Sequence, residues 1–182
     1  MTGFAPVEPA TATGPAAELL AQVQRTLGAT PNMTKAMANS PALLHGYLAL
    51  SGALAGGELP VAVRERLALA TAEYNGCEYC LSAHTYLGAN VAKIDAAELD
   101  AARDAKSTDA HPQALLTLSD AIARGRGRVD SGALQAARDA GATDAEIGEV
   151  VGHLALNVLT NYFNILAEVD NDFPPVVPHS VV

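Results

Sequence analysis

A chain of 182 residues corresponds to about one domain and is long enough to bury a core without disulfide cross-links. Apolar residues make up 49% of it and charged residues 17%, a composition that excludes an intrinsically disordered chain. The 11 basic and 20 acidic side chains leave a net charge of −9, which argues against nucleic acid or an anionic membrane surface as partners.

Alanine contributes 37 residues, whereas the chain has no tryptophan, five tyrosines and three phenylalanines. Because alanine is the best helix former and strands prefer aromatic and β-branched residues, the composition predicts an all-α fold. The first residues have neither the basic nor the apolar region of a signal peptide. The most apolar stretch, 150–169, carries His153 and three asparagines, which argues against a membrane span. We therefore expect a cytoplasmic protein.

Helix signals follow one another along the chain, and no strand pattern interrupts them. Proline or capping residues open several predicted helices, and glycines end them. Thr143, followed by Glu146, forms a capping box before the last and longest helix. The predicted helices span about 15–27, 41–56, 60–75, 77–88, 95–106, 112–125, 131–140 and 143–169.

The two ends of the chain lack helical periodicity. Residues 1–14 are rich in proline, glycine, threonine and alanine and are predicted to form a flexible arm. Residues 170–182 contain three prolines and are predicted to form an extended tail. A single helical domain is expected over 15–169.

The only two cysteines, Cys77 and Cys80, lie three residues apart at the predicted start of a helix, and His84 follows four residues later. These separations place all three side chains on one face of a helix. A single Cys-x-x-Cys in an intracellular chain indicates redox or metal chemistry. A thiolate, a neighbouring base and a second thiol together provide what two-electron reduction of a peroxide requires.

The residues themselves leave open which sulfur attacks first. The positive end of the helix dipole favours ionisation of Cys77, which is nearer the N-terminus of the helix. An imidazole one turn away favours ionisation of Cys80. Glu65 and Glu73 are the candidate carboxylates for orienting His84 or relaying its proton, the alternative being solvated or ion-paired surface residues.

Zinc is the chemical rival for the two cysteines and His84, with Glu65, Glu73 or a residue of another subunit as fourth ligand. A structural zinc site normally takes four ligands from two separate knuckles, and this chain has one knuckle. We therefore predict neither a metal nor any other cofactor.

The last predicted helix carries a line of polar side chains, His153, Asn157, Asn161 and Asn164, among apolar neighbours. Buried amides need hydrogen-bond partners, so this line is expected to face a subunit interface or the thiol pocket, unless it is a solvated stripe. Asn157 and Asn161 are therefore possible supporting residues of the site.

The spacing of Glu65, Cys77, Cys80 and His84 resembles that of the alkylhydroperoxidase D-like proteins of the carboxymuconolactone decarboxylase superfamily. The likeness extends to Ser40-Pro41, to the approach to Glu65 and to the last helix with its Asp172-Phe173-Pro174 end, about three quarters of the chain. It implies an all-helical bundle built from hairpins, with about eight helices and no sheet, assembled as a trimer or hexamer.

The resemblance also assigns roles to individual residues. It implies that Cys80 is the peroxidatic thiol, that Cys77 resolves it to a disulfide, that His84 is the base and that Glu65 completes the proton relay. The implied partners are an organic hydroperoxide or hydrogen peroxide and an external dithiol or lipoyl-type electron donor. Tyr79 departs from the family, whose peroxidases often have histidine or aspartate before the second cysteine, and a tyrosine donates hydrogen bonds but accepts protons poorly at neutral pH.

The sequence thus predicts a thiol-dependent hydroperoxide reductase of the peroxidase-related branch, acting in antioxidant defence. Two alternatives keep the fold. One is a lactone decarboxylase or related lyase that uses His84 and Glu65 without redox turnover. The other is a non-enzymatic helical oligomer in which the cysteines form a redox switch or a metal clip.

Overall fold

The computed structural model describes residues 3–179, so residues 1–2 of the predicted arm and 180–182 of the predicted tail lie outside it. Within that range the chain forms nine α-helices and no β-strand, which confirms the all-α prediction. None of these helices combines the length and apolar character that crossing a membrane requires. The helices are α1 (Gly14–Leu27), α2 (Asn32–Met37), α3 (Pro41–Ala55), α4 (Val61–Asn75), α5 (Glu78–Asn90), α6 (Ala96–Arg103), α7 (Ala110–Gly125), α8 (Ser131–Asp139) and α9 (Asp144–Leu166).

The observed helix ends lie within a few residues of the predicted ones because local capping fixes them. The side chains of Ser40, Asp95 and Thr143 each accept a hydrogen bond from the backbone N–H three residues later. Gly28 and Gly76 end α1 and α4 in the left-handed conformation that glycine adopts most readily.

The short helix α2 is absent from the predicted set. It begins after Pro31, has six residues and buries Met33 and Met37 in the core. Six residues are too few for an apolar repeat over several turns, so periodicity does not reveal such a helix.

Helix α4 lies at the centre of the bundle and packs against α5, α6, α7 and α9. Eight of its fifteen residues are buried, so it is enclosed on most sides. Alanines 68, 70 and 72 are among them, and their small side chains let the neighbouring helices approach closely. This packing brings α4, which carries Glu65, against α5, which carries the cysteines.

Two apolar clusters form the core. The first joins buried residues of α1 to α6 and α9 and includes Leu20, Met37, Leu44 and Leu81. The second joins α4, α7, α8 and α9 and includes Leu67, Leu115, Leu118 and Val150.

The segments before α1 and after α9 lie against helices. The ring of Phe4 contacts that of Phe163 edge-on, with the centroids 5.7 Å apart. Residues 170–179 cross α5, where the backbone N–H of Val176 donates to Ser82 Oγ at 2.9 Å. The predicted limits of the domain stay predictions.

A buried ion pair joins α4 to α6. Arg66 donates from Nη2 and Nε to Oε2 of Glu98 at 3.1 and 3.2 Å. The other carboxylate oxygen accepts from the backbone N–H and the hydroxyl of Thr108 at 2.7 and 2.6 Å. The Thr108 hydrogen bonds, with those from Ser107 and Arg66, lower the pKa of Glu98 to about 2. The same carboxylate therefore fixes two helices and the loop before α7.

Candidate active site

The two thiols lie side by side at the N-terminus of α5. The left-handed turn at Gly76, with φ of 68°, ends α4 and leads directly into Cys77. Cys77 is the N-cap of α5, and its sulfur accepts a hydrogen bond from the backbone N–H of Cys80 at 3.3 Å. The cap places the two sulfur atoms 2.7 Å apart, with both cysteines free and buried. A disulfide bond measures about 2.05 Å, so only a small movement separates the reduced pair from the bridged one.

Helix α9 supplies two amides beside the thiols. Asn164 donates from Nδ2 to the sulfur of Cys80 at 3.2 Å and to that of Met33 at 3.4 Å. Asn161 accepts through Oδ1 from Nδ2 of Asn75 at 2.9 Å. The Oδ1 of Asn164 is buried without a hydrogen-bond partner in residues 3–179.

His84 and Glu65 form the hydrogen-bonded pair that the sequence predicts. Nδ1 of His84 lies 2.8 Å from Oε2 of Glu65, across the contact between α5 and α4. Burial lowers the pKa of His84, but the charge of Glu65 and its hydrogen bond outweigh burial, so that pKa is raised overall. A histidine whose protonated form is favoured by its glutamate partner therefore lies one helical turn beyond Cys80.

The surroundings draw the pKa values of the two thiols apart. The pKa of Cys80 is lowered from 9.0 to about 7, first by the hydrogen bond from Cys77. Burial opposes that change, while the Asn164 amide, the His84 charge and the Asn161 amide add to it. The pKa of Cys77 is raised by its role as donor to Cys80 and by burial. The helix dipole, which favours Cys77, is thus outweighed by specific hydrogen bonds to Cys80.

Glu73, a predicted candidate for the relay, does not reach the thiols. Its carboxylate accepts from Nε of Arg103 at 2.7 Å and from the backbone N–H of His179 at 2.6 Å. The prediction of a supporting role is therefore wrong, because Glu73 is held by α6 and the C-terminal segment.

Tyr79, between the two cysteines, is turned towards the C-terminal segment. Its hydroxyl donates to Oδ2 of Asp172 at 2.6 Å, and its ring packs edge-on against Phe173 with centroids 6.0 Å apart. Burial and the Asp172 carboxylate both raise the pKa of Tyr79. Tyr79 therefore stays protonated and anchors residues 172 and 173 instead of relaying a proton.

Two cavities adjoin the site. One, of about 210 Å³, is lined by the relay pair and by residues of α3, α4 and α9: Ser51, Ala55, Arg64, Glu65, Ala68, His84, His153, Leu156 and Asn157. The other, of about 360 Å³, lies beside Cys77 and is bordered by Tyr79, Asn164 and residues 168–171. His84 thus lines the first cavity and Cys77 borders the second.

All four members of the predicted polar line on α9 are buried. His153 and Asn157 line the 210 Å³ cavity, whereas Asn161 and Asn164 act on Cys80. Nδ2 of Asn157 donates to the backbone oxygen of His153 at 2.8 Å. The line is therefore a wall of the site, not a solvated stripe.

Three further residues near the site, Tyr47, Ser51 and Arg64, are not among those predicted from the sequence. Tyr47 on α3 has its pKa raised by burial, with a smaller contribution from the Cys80 charge, while hydrogen bonding to Ser51 opposes the rise. Tyr47 and Ser51 are a polar pair four residues apart on an apolar helix, a pattern that could have indicated a site. Arg64 lines the cavity next to Glu65, and no local pattern distinguishes it from a surface arginine.

Residues 41–115, from α3 into α7, match the carboxymuconolactone decarboxylase family. They contain both cysteines, His84 and Glu65. This part of the chain is therefore similar to that family, and the described residues have the alkylhydroperoxidase D-like fold. No protein among the curated sequences matches it.

Solved structures show the same fold at low sequence identity. The chain superposes on the alkylhydroperoxidase AhpD core of a peroxidase-related protein from Ralstonia eutropha JMP134 with a TM-score of 0.82 and 22% identity, over 94% of this chain and 93% of that one. For a peroxidase-related protein from Silicibacter sp. TM1040 the TM-score is 0.77 and the identity 20%, over 96% of this chain and 92% of that one. For the debrominase Bmp8 the TM-score is 0.75 and the identity 16%, over 92% of this chain and 90% of that one.

Proposed function

We propose that the protein is a thiol-dependent hydroperoxide reductase in which Cys80 attacks and Cys77 resolves. The observation that carries the proposal is the contact of the two free sulfurs, 2.7 Å apart, with the pKa of Cys80 lowered to about 7 and that of Cys77 raised. An ionised nucleophile beside a protonated resolving thiol is the arrangement that a two-cysteine peroxidase needs.

In the first step the Cys80 thiolate attacks the distal oxygen of the hydroperoxide. A sulfur–oxygen bond forms and the oxygen–oxygen bond breaks, which leaves a sulfenic acid and an alkoxide. His84, held in its protonated form by Glu65, supplies the proton that converts the alkoxide to an alcohol.

In the second step the Cys77 sulfur attacks the sulfur of the sulfenic acid. The disulfide forms and the hydroxyl leaves as water with the proton of the Cys77 thiol. An external dithiol, for which a lipoyl-type donor is the expected class, then exchanges with the disulfide and is itself oxidised. Each cycle converts one hydroperoxide and one dithiol into an alcohol, water and an oxidised donor. A reducing compartment such as the cytoplasm would supply that donor.

The test compares wild type with Cys80→Ser and Cys77→Ser, using tert-butyl hydroperoxide and dihydrolipoamide. We expect steady turnover in wild type, none above background in Cys80→Ser, and one hydroperoxide consumed per chain in Cys77→Ser before turnover stops. Trapping the oxidised Cys80 with dimedone in Cys77→Ser identifies the sulfenic acid directly. Equal rates in wild type and Cys80→Ser would contradict the proposal.

The same variants separate the alternatives. Lactone decarboxylation that survives replacement of both cysteines and is lost in Glu65→Gln would assign the protein to lyase chemistry. One equivalent of peroxide consumed by wild type, without turnover in the presence of donor, would assign it to a redox switch.

A further inference from the structure

The 210 Å³ cavity beside His84 has a positive charge that the proposed chemistry does not use. Arg64 lines this cavity, and its Nη1 donates to the backbone oxygens of Ala55 and Leu54 at 2.7 and 3.3 Å, at the end of α3. Within residues 3–179 its Nη2 and Nε donate no hydrogen bond, and no acidic side chain pairs with it. One part of the guanidinium is therefore anchored while the remainder is available to a ligand.

The other titratable groups of the cavity leave that charge uncompensated. Glu65 is paired with His84, whose pKa is raised, so the two charges offset each other. Burial and the neighbouring Arg64 lower the pKa of His153, so its ring is neutral at physiological pH. Glu149 acts on His153 from outside the lining, but its carboxylate oxygens are held by the backbone N–H groups of residues 58 and 59.

His153 adds an unused hydrogen-bonding group to the same wall. His153 is 5% exposed, and its buried Nε2 has no hydrogen-bond partner in the described part of the chain. Buried imidazoles are normally hydrogen-bonded, so an unpartnered ring nitrogen of a residue on a cavity wall is available to a ligand atom. The amide of Asn157 lines the cavity one turn further along α9.

We propose that the cavity binds the carboxylate of a small organic acid through Arg64, with the ring of His153 on the same wall. A planar guanidinium with free N–H groups matches a carboxylate in both shape and charge. The volume is below the roughly 300–1,000 Å³ of pockets for drug-sized ligands, so the ligand is a short-chain acid. This inference rests on the proposed function in one respect: it names a small carboxylated hydroperoxide as the preferred substrate, with its reacting end towards His84.

The binding test does not depend on peroxide chemistry. It measures the affinity of 3-hydroxy-3-methylbutanoate by calorimetry for wild type, Arg64→Gln, Arg64→Lys and the matched control Arg25→Gln, which removes an exposed arginine on α1. We expect the Kd to rise about tenfold or more in Arg64→Gln, the loss of one charge-assisted hydrogen bond, and to stay unchanged in Arg25→Gln. Arg64→Lys keeps the charge without the planar guanidinium, so its Kd is expected to lie between those of wild type and Arg64→Gln. It replaces Arg64→Gln in the test if that variant does not fold.

The kinetic test compares 3-hydroperoxy-3-methylbutanoate with the neutral analogue tert-butyl hydroperoxide. We expect kcat/KM to favour the carboxylated hydroperoxide in wild type, and this preference to fall about tenfold in Arg64→Gln. Absence of carboxylate binding to wild type, or equal affinity in wild type and both Arg64 variants, would overturn the inference. If the carboxylate binds as expected but neither hydroperoxide is reduced, the anion site stands and the proposed peroxidase function fails.

Discussion

The ionisation of Cys80 depends on several neighbours whose effects oppose burial. The hydrogen bond from Cys77 makes the largest contribution, and Asn164, His84 and Asn161 add smaller ones. With a pKa of about 7, about half of the Cys80 thiol is ionised at neutral pH, whereas an ordinary thiol is almost wholly protonated. Cys77 donates the hydrogen bond that stabilises the Cys80 thiolate, and in the proposed cycle it is also the thiol that closes the disulfide.

The ionisation of the thiols is measurable without substrate. Thiolate absorbance at 240 nm is expected to rise through a midpoint near pH 7 by the amount for one thiol per chain, while the second thiol stays protonated beyond pH 9. Asn164→Ala removes a hydrogen bond to the thiolate and is expected to move the midpoint upwards.

Asn90→Ala is the matched control for that titration. Asn90 is exposed at the end of α5, where its amide bonds to the backbone oxygen of Tyr86, and its loss is expected to leave the midpoint in place. Joint titration of both thiols near pH 9 in wild type would contradict the account of Cys80.

At the scale of elements, the position of α4 determines the geometry of the site. The hydrogen bond between His84 and Glu65 forms only where α4 and α5 are packed together, since the two residues belong to different helices. Glu98 fixes α4 from the opposite side through Arg66, and it also holds the loop before α7 through Thr108. A buried carboxylate with five hydrogen bonds thus links α4, which carries Glu65, to α6 and the loop before α7.

Glu98 predicts how stability depends on pH. Because its pKa is lowered from 4.5 to about 2, its contribution is complete above pH 4.5 and is lost as the pH falls towards 2. Glu98→Gln leaves Arg66 buried without a counter-charge and is expected to reduce the free energy of unfolding at pH 6 by about 3–5 kcal/mol.

Urea unfolding at pH 6, 4 and 3 measures both effects. The difference in the free energy of unfolding between wild type and Glu98→Gln is expected to narrow as the solution is acidified. Protonation of Glu98 then removes from wild type the charged carboxylate that the variant already lacks. The exposed Glu18→Gln on α1 is the control and is expected to match wild type throughout. A difference that stays constant with pH would show that Glu98 acts without its charge.

At the scale of the whole molecule, α9 has two different faces. Its polar line is buried at the site, whereas its opposite side exposes an apolar stripe: Val151, Ala155, Tyr162, Ile165 and Leu166. Three of these, Val151, Tyr162 and Leu166, are 49%, 59% and 73% exposed. A contiguous apolar face of this kind is typical of an interface between protein chains. It supports the proposal that copies of the chain associate through α9 as a trimer or hexamer.

Light scattering coupled to size-exclusion chromatography tests the association. We expect a mass of three or six chains for wild type, and a smaller mass for the double variant Tyr162→Glu/Leu166→Glu because buried charge without a partner destabilises an interface. Gln22→Glu/Gln135→Glu adds the same charge at exposed positions of α1 and α8 and is expected to keep the wild-type mass. A wild-type mass of one chain would refute the proposed assembly.

The sequence by itself determined the all-α class, most helix ends and the placing of Cys77, Cys80 and His84 on one helical face. These features depend on interactions within about four residues, such as caps, left-handed glycines and helical spacing, which are visible in the order of residues. The resemblance to a known family added the relation between Glu65 and His84.

Only the tertiary structure decided which distant groups meet at the thiols. Both glutamates are on α4, but its packing on α5 lets Glu65 bond to His84, and its packing on α6 lets Glu73 bond to Arg103. The packing of α9 turned Asn164 towards Cys80, 84 positions earlier in the chain. Such contacts depend on how helices pack together in three dimensions, and that packing leaves no local periodicity in the sequence.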